Sequence, residues 1–281
     1  ALTWSTYYGG TGGDRGEGLG LDASGNIYLS GDCGAVTGMF KLNPGGGAFF
    51  QAAYGGGFSD AFFIKMNSSG VIQWATNFGG PSIDHGLAVK SESCSNSIYF
   101  VGLAGSGIPL LNSGGGAFFQ GTFGGGANDN FIVKFSTSLN LVWSTYVGGN
   151  GSENGFGDLN GNRLTTDVSG NVYLVGGSFS NNFPTQNPGG ATYFQGTFGG
   201  LIDFTITQFN SAGSIIWSTY FGGPNGETGA GITIDPTGNI YVAGEYTNTG
   251  AITSNPGGGA YSGTYGGSDD IVTYLNDVPE S

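Results

Sequence analysis

All four tryptophans of this chain occupy the same position in a repeated segment that ends in two glycines. The four copies of the segment are Trp4–Gly10, Trp74–Gly80, Trp143–Gly149 and Trp217–Gly223. They recur about every 70 residues, a regular spacing that is typical of chains built from similar units. One such unit cannot bury its apolar faces alone, so neighbouring units must stack on one another. The repeat therefore restricts the chain to architectures made of stacked copies of one motif.

Each repeat contains four short segments rich in aromatic and β-branched residues, as β-strands are. We name these strands A to D in chain order, with the tryptophan on D. Strand A ends near Leu21, Val89, Thr166 and Ile234, strand B starts at Ile27, Ile98, Val172 and Ile240, and strand C starts at Asp60, Asp129, Asp203 and Asp269. In three of the four copies the turn between A and B contains glycine, which supplies the positive φ of a tight hairpin.

The predicted sheet of each repeat is apolar on both faces, so both faces need cover. Radial stacking of blades provides it, and the sequence predicts an all-β fold, a four-bladed β-propeller with four antiparallel strands per blade. We expect a single domain over residues 1–276, with blades at about 11–80, 81–149, 150–223 and 224–276 plus 1–10, and a tail or linker at 277–281.

The N-terminal segment contains a D strand alone, while the last repeat lacks one. We therefore predict that residues 2–8 complete the last blade by pairing with its C strand near 271–275. The same segment, given to the next molecule, would build a fibre by strand addition. The sequence does not decide between these alternatives, and we favour closure within the chain.

Three recurrent patterns, W-S-T-Y-x-G-G, D-x-S-G-N-x-Y-x-x-G and G-G-x-x-D-x-F, resemble the SBBP-type β-propeller repeat of bacterial secreted and surface proteins. The resemblance covers residues 2 to about 276. It implies a propeller and an extracellular setting, and it transfers no catalytic residue. The chain departs from the pattern in the A–B turn at 91–97 and in a long insert between strands B and C.

Composition limits the class of protein further. Glycine accounts for 60 of the 281 residues, but 14% aromatic and only 9% charged residues argue against disorder. The formal net charge of −13, with 6 Lys and Arg in all, disfavours nucleic-acid binding. No apolar stretch is long enough to cross a bilayer. Few lysines among many small polar residues suit a secreted or cell-surface protein.

The insert between strands B and C is rich in glycine and carries aromatic residues in every repeat. Its rings could cap the hydrophobic edges of the blades, contact neighbouring molecules, or stack on the sugar rings of a polysaccharide. Capping is the plainest interpretation. The candidates for ligand binding or self-association are Phe49, Phe50, Tyr54, Phe118, Phe119, Phe123, Tyr193, Phe194, Phe198, Tyr261 and Tyr265.

Two rows of acidic residues recur as well, one after each D strand and one at the start of each C strand. Both rows should lie at the same end of the blades, because the D–A and B–C connections emerge there. Carboxylate oxygens suit Ca²⁺, the one cofactor that the pattern suggests. The plainer interpretation is that each carboxylate accepts hydrogen bonds from backbone N–H groups of glycine-rich turns. The eight residues are Asp14, Asp60, Asp84, Asp129, Glu153, Asp203, Glu227 and Asp269.

Enzymatic activity is not expected. His85 is the only histidine, in a segment predicted to be an exposed loop, and neither a G-K-[ST] nor a G-x-S-x-G motif is present. Repeated residues usually maintain the repeat, whereas catalysis normally breaks its symmetry. We expect a non-enzymatic extracellular structural module, the self-associating bead of a surface layer or fibre. A carbohydrate-binding adhesin that uses the aromatic inserts is the alternative.

Two kinds of covalent chemistry remain to be considered. Cys33 follows a B strand and Cys94 lies in an A–B turn, at opposite ends of their blades, so two free thiols are expected rather than a disulfide. Asn67 and Asn150 begin N-x-[ST] tripeptides in predicted surface turns and are candidates for glycosylation.

Overall fold

A computed structural model describes residues 1–34, 39–153, 163–246 and 269–275 of the chain. These residues form strands, turns and extended connections. None of the described segments is a helix long and apolar enough to cross a membrane.

The described strands form four antiparallel sheets that follow one another along the chain. Sheet 1 contains β1 (Asp14–Leu21), β2 (Ile27–Gly34), β3 (Ser59–Met66) and β4 (Ile72–Phe78). Sheet 2 contains β5 (Asp84–Glu92), β6 (Ser97–Ala104), β7 (Asp129–Ser136) and β8 (Leu141–Val147). Sheet 3 contains β9 (Leu164–Thr166), β10 (Val172–Ser178), β11 (Asp203–Phe209) and β12 (Ile215–Phe221), and sheet 4 contains β13 (Glu227–Ile234), β14 (Ile240–Tyr246) and β15 (Asp269–Leu275).

The structure confirms the prediction of an all-β chain with four antiparallel sheets. In sheets 1 to 3 the tryptophan lies on the fourth strand, at the edge of the sheet. Sheet 4 contains three described strands in the order β13-β14-β15. Residues 1–10 are described but belong to no described strand, so the predicted pairing of residues 2–8 with β15 is not observed among the described residues.

The hairpin between the first two strands of a sheet explains the D-x-S-G-N-x-Y pattern. In sheet 1, Asp22 Oδ1 accepts hydrogen bonds from the backbone N–H groups of Ser24 and Asn26, both at 2.9 Å. Gly25 has a φ of 77°, the left-handed conformation that glycine adopts without a steric cost. The hydroxyl of Tyr28 donates to Asp22 Oδ2 at 3.0 Å and fixes the turn to strand β2.

The hydrophobic core lies between successive sheets. We call the face of each sheet that carries the tyrosine of its second strand the front face, and the opposite face the back face. The front face of sheet 1 packs on the back face of sheet 2, where Phe63 stacks on Phe100 with ring centroids 4.1 Å apart. Trp143 lies 6.0 Å from Phe209 between sheets 2 and 3. Three front-to-back junctions of one kind therefore hold the stack together.

Candidate functional site

The inserts between the second and third strands of sheets 1 to 3 cover the outer edges of these sheets. Leu42 exchanges two backbone hydrogen bonds with Ala75 of β4, at 3.0 and 3.1 Å. Equivalent bridges join Leu111 to β8 and Gln186 to β12. An uncovered edge strand would be a template for aggregation. The inserts therefore protect β4, β8 and β12 by occupying part of their free edge.

A glutamine in each of the first three inserts fastens the insert to its sheet. The backbone N–H of Gln120 donates to Thr145 Oγ1 at 2.8 Å, and its side chain accepts from Gly148 N–H at 3.1 Å. Its Nε2 donates to Asp129 Oδ2 at 3.0 Å. The backbone N–H groups of Gln51 and Gln195 make the same 2.8 Å bond to threonine. These glutamines are not among the residues predicted from the sequence, although their recurrence at one position of the insert is a usable signal.

The aromatic candidates of the inserts are turned mostly toward the core. Phe49 lies 5.7 Å from Phe78 and 5.8 Å from Phe135, and the Trp74 indole N–H donates to its carbonyl at 2.7 Å. Similar ring contacts are made by Phe118, Phe123, Tyr193 and Phe198. These contacts fit the capping interpretation.

The other aromatic candidates differ in burial. Phe50, Tyr54 and Phe194 are half-buried. Phe119 is exposed, with 38% of its surface accessible. Tyr261 and Tyr265 lie outside the described residues. Sugar stacking by this set stays a prediction.

The acidic residues bind the backbone of the glycine-rich turns. Asp60 Oδ2 accepts from Gly55 N–H at 2.6 Å, and Asp84 Oδ2 accepts from Gly80 N–H at 2.7 Å. The five other acids whose side chains are described accept at least one backbone N–H in the same way: Asp14, Asp129, Glu153, Asp203 and Glu227. Asp269 begins β15, but its side chain lies outside the described part of the chain. The contacts are those that the capping interpretation of the acids predicts.

The acids of the two rows meet in pairs across the junctions between sheets. A methyl group placed on Gly148 would lie 2.5 Å from Asp129 Oδ1 and 2.6 Å from Glu153 Oε2, so the two carboxyls approach the same point. At Gly222 the corresponding distances are 2.8 Å to Asp203 Oδ1 and 2.6 Å to Glu227 Oε2. One member of each pair begins the third strand of a sheet, and the other belongs to the following repeat. The repeat pattern predicts that these acids lie at one end of the blades, but it does not predict their pairing.

Burial of these pairs disfavours their ionised forms. Burial raises the pKa of Asp60 to about 6 and, together with the nearby Asp60 charge, that of Asp84 to about 7. Burial and then contact with Asp129 raise the pKa of Glu153 as well. One oxygen of each carboxyl, among them Asp60 Oδ1, Asp84 Oδ1 and Glu153 Oε2, is buried without a hydrogen-bond partner. At pH 7 Asp60 is therefore mostly ionised and Asp84 is partly protonated, so buried negative charge remains at this junction.

Calcium binding by the acidic rows stays a prediction. Among the described residues, no group of three or more His, Cys, Asp or Glu side chains is arranged to hold a metal ion. Two carboxyls approach each other at Gly148 and at Gly222, and such a pair can share a proton or a cation.

The two ends of the sheet stack expose faces that the inner junctions bury. Val272, on the front face of sheet 4, is 76% exposed, whereas the residues at its position in sheets 1 to 3 are fully buried. Those residues are Phe63, Ile132 and Ile206. Leu19, on the back face of sheet 1, is 71% exposed. Its equivalents in sheets 2 to 4, Val89, Leu164 and Ile232, are buried.

The N-terminal segment lies against sheet 1 as a fourth strand lies against the sheet that follows it. The Trp4 indole N–H donates to the Ser68 carbonyl at 3.3 Å, and a methyl group on Gly70 would touch the Trp4 ring at 3.2 Å. Trp143 of sheet 2 makes the same two contacts with sheet 3, to Ser211 and Gly213, at 3.5 and 3.2 Å. Residues 1–10 thus occupy the place of the outer strand of a sheet that would precede sheet 1.

The prediction that His85 lies in an exposed loop is wrong. His85 is part of β5, where it pairs with Leu103, and it is half-buried with Nδ1 3.4 Å from Asp32 Oδ1. Strand β5 begins at Asp84 rather than at the apolar residues that follow His85, because the backbone from Asp84 onward pairs with β6.

The remaining candidates take up separate positions. Cys33 is buried and Cys94 is exposed, and both are free. The side chain of Asn67 accepts hydrogen bonds from Ser69 and Val71, both at 3.0 Å, within the turn between β3 and β4. Asn150 is exposed, and its backbone N–H donates to Asn182 Oδ1 at 2.7 Å.

Comparison with known families supports the repeat. The family model described as SBBP, a beta-propeller repeat, matches residues 216–249. The matched segment contains β13, β14 and most of β12, so it spans the last strand of one sheet and the first two of the next. This match confirms the resemblance to SBBP-type repeats. The comparison with curated proteins finds no match.

Proposed function

We propose that this chain, which carries a β-propeller repeat of the SBBP type, is a non-enzymatic structural module that acts outside the cell and associates with copies of itself. The observation that carries the proposal is the pair of open end faces. Val272 and Leu19 are largely exposed at positions where three inner junctions bury apolar side chains. Tyr241 and Tyr274 are exposed on the same face as Val272. Leu21 is exposed on the same face as Leu19. Neighbouring exposed apolar side chains of this kind mark an interaction site.

The contacts of the repeated side chains support a structural role over a catalytic or sugar-binding one. The side chains of the acids and glutamines form hydrogen bonds with the backbone of the glycine-rich segments. The rings of Phe49 and Phe118 are half-buried against core rings, and the buried part of each ring is not free to stack on a sugar. The extracellular setting rests on the composition and on the resemblance of the repeat.

Light scattering over a wide range of protein concentration tests the proposal. We expect the weight-average mass to rise with concentration and Val272→Asp to shift the molecule toward the monomer, because it places a charge on the open face of sheet 4. Val168→Asp is the matched control, since Val168 is 73% exposed in the first turn of sheet 3, away from both end faces. A monomer at every concentration, or an equal loss of association in both variants, would contradict the proposal.

A further inference from the structure

Among the described residues, sheet 4 has no counterpart of the strand that completes each of the first three sheets. In sheets 1 to 3 the third strand pairs with a tryptophan-bearing fourth strand, whereas β15 is an edge of the described sheet 4. The exposed Val272 lies on this edge strand. An edge strand with free backbone groups next to an apolar face is suited to accept an added strand.

The N-terminal segment has the sequence and the position of such a strand. Residues 4–10 repeat the pattern of the fourth strands, and Trp4 contacts sheet 1 as Trp143 contacts sheet 3. Tyr8 anchors the segment to sheet 1, since its hydroxyl donates to the Phe40 carbonyl at 2.7 Å and its ring lies 5.4 Å from Phe62. The segment is therefore held on sheet 1 of its own chain, while the strand beside which it belongs lies in sheet 4.

We propose that residues 2–8 of one copy form the fourth strand of sheet 4 in a second copy, next to β15. The back face of the donor's sheet 1 then packs on the front face of the acceptor's sheet 4. This inference rests on the proposed self-association and names the surfaces that carry it. A contact between two different surfaces is heterologous, so it repeats head to tail from copy to copy.

The exposed faces at the two ends of the sheet stack indicate that the strand is donated to a second copy. Leu19 and Val272 are exposed together in one chain, although closure of the chain on itself would bury both. Each end is also built like one half of an inner junction. The junction of sheets 1 and 2 places Tyr28 and Phe63 against Val89, and the new junction would place Tyr241 and Val272 against Leu19.

The inner sheets specify the register of the added strand. Trp74 pairs with Lys65, Ala75 with Ile64 and Thr76 with Phe63, and sheet 2 has the same register. Counted from the acid that begins the third strand, Lys65 corresponds to Tyr274. The added strand then places Trp4 opposite Tyr274, Ser5 opposite Thr273 and Thr6 opposite Val272.

Disulfide trapping tests both the partner and the register. The single variants Ser5→Cys and Thr273→Cys are made on a Cys94→Ser background, where the remaining native thiol, Cys33, is buried. Directly opposed cysteines in paired strands are close enough to form a disulfide. We expect a mixture of the two variants to give a covalent heterodimer under mild oxidation. The control pairs Ser5→Cys with Val272→Cys, which is displaced by one residue and faces the opposite side, and it should cross-link far less.

Each other outcome overturns the inference in a recognisable way. A double variant that forms a disulfide within one chain, with no heterodimer from the mixture, shows closure of the chain on itself. Association by light scattering without cross-linking keeps the proposed function but refutes the donated strand. A mixture that stays monomeric and uncross-linked refutes both. Equal cross-linking at Thr273 and Val272 refutes the register.

Discussion

Replacing Asp84 by asparagine should stabilise the protein at neutral pH, because it removes a buried negative charge. Asp84 is fully buried, and its Oδ2 accepts from Gly80 N–H at 2.7 Å. The amide oxygen of asparagine can accept the same hydrogen bond. The Asp60 carboxyl contributes to the raised pKa of Asp84, so the neutral amide also removes a repulsion between two acids.

The size of the effect follows from the pKa of Asp84, which is raised from 3.8 to about 7. A carboxyl with a raised pKa contributes its full stability below its unfolded pKa and loses it as the pH rises through the folded pKa. Each pKa unit corresponds to about 1.4 kcal/mol, so the titration of Asp84 lowers the free energy of unfolding of the wild type by at most roughly 3 kcal/mol between pH 4 and 7. The asparagine of Asp84→Asn does not titrate, so the free energy of unfolding of the variant should increase relative to that of the wild type between pH 4 and 7.

Thermal unfolding of both proteins from pH 4 to 8 measures the difference. For a chain of this size, the variant should gain roughly 5–10 °C in Tm at pH 7 relative to its difference at pH 4. Asp22→Asn is the control, because hydrogen bonds from Asn26 and Ser24 hold the pKa of Asp22 below its ordinary value. That variant should lose stability at neutral pH instead. A Tm difference between Asp84→Asn and the wild type that does not change with pH would refute the reasoning.

Three further predictions concern packing and thiol chemistry. Trp143→Ala should cost about 3–5 kcal/mol in denaturant unfolding, because a large buried side chain leaves a cavity between sheets 2 and 3; a cost below 1 kcal/mol would contradict the packing. Gly148→Ala should lower the Tm, since the added methyl meets two carboxyls, whereas Gly13→Ala meets nothing within 4 Å and should not. A thiol reagent should label Cys94 in the folded protein and Cys33 only after unfolding, because burial raises the pKa of Cys33 to about 11. Mass spectrometry counts the labels, and rapid labelling of both cysteines in the folded protein would contradict this prediction.

The arrangement of the glycine-rich inserts could not be derived from their sequence. Asn43–Gln51 contains several glycines and no alternating pattern of its own, so the local sequence fits many conformations. Its path is decided by partners elsewhere in the chain, such as Thr76, which accepts from the Gln51 N–H, and Leu139, whose carbonyl accepts from the Phe49 N–H. The recurrence of the glutamine indicated that it matters, but not which groups it binds.

The sequence by itself determined the number of repeats, the order of strands within each and the place of the tryptophan on the fourth strand. These features depend on local hydrogen bonding and on the spacing of apolar residues, which a single chain displays directly. Only the tertiary structure decided that Asp129 approaches Glu153 and that Leu19 and Val272 stay exposed. The burial of a side chain depends on which sheet faces it, and the local sequence does not contain that information. Leu19 is apolar like its buried equivalents Val89, Leu164 and Ile232, and it differs from them in that none of the described sheets packs on its face.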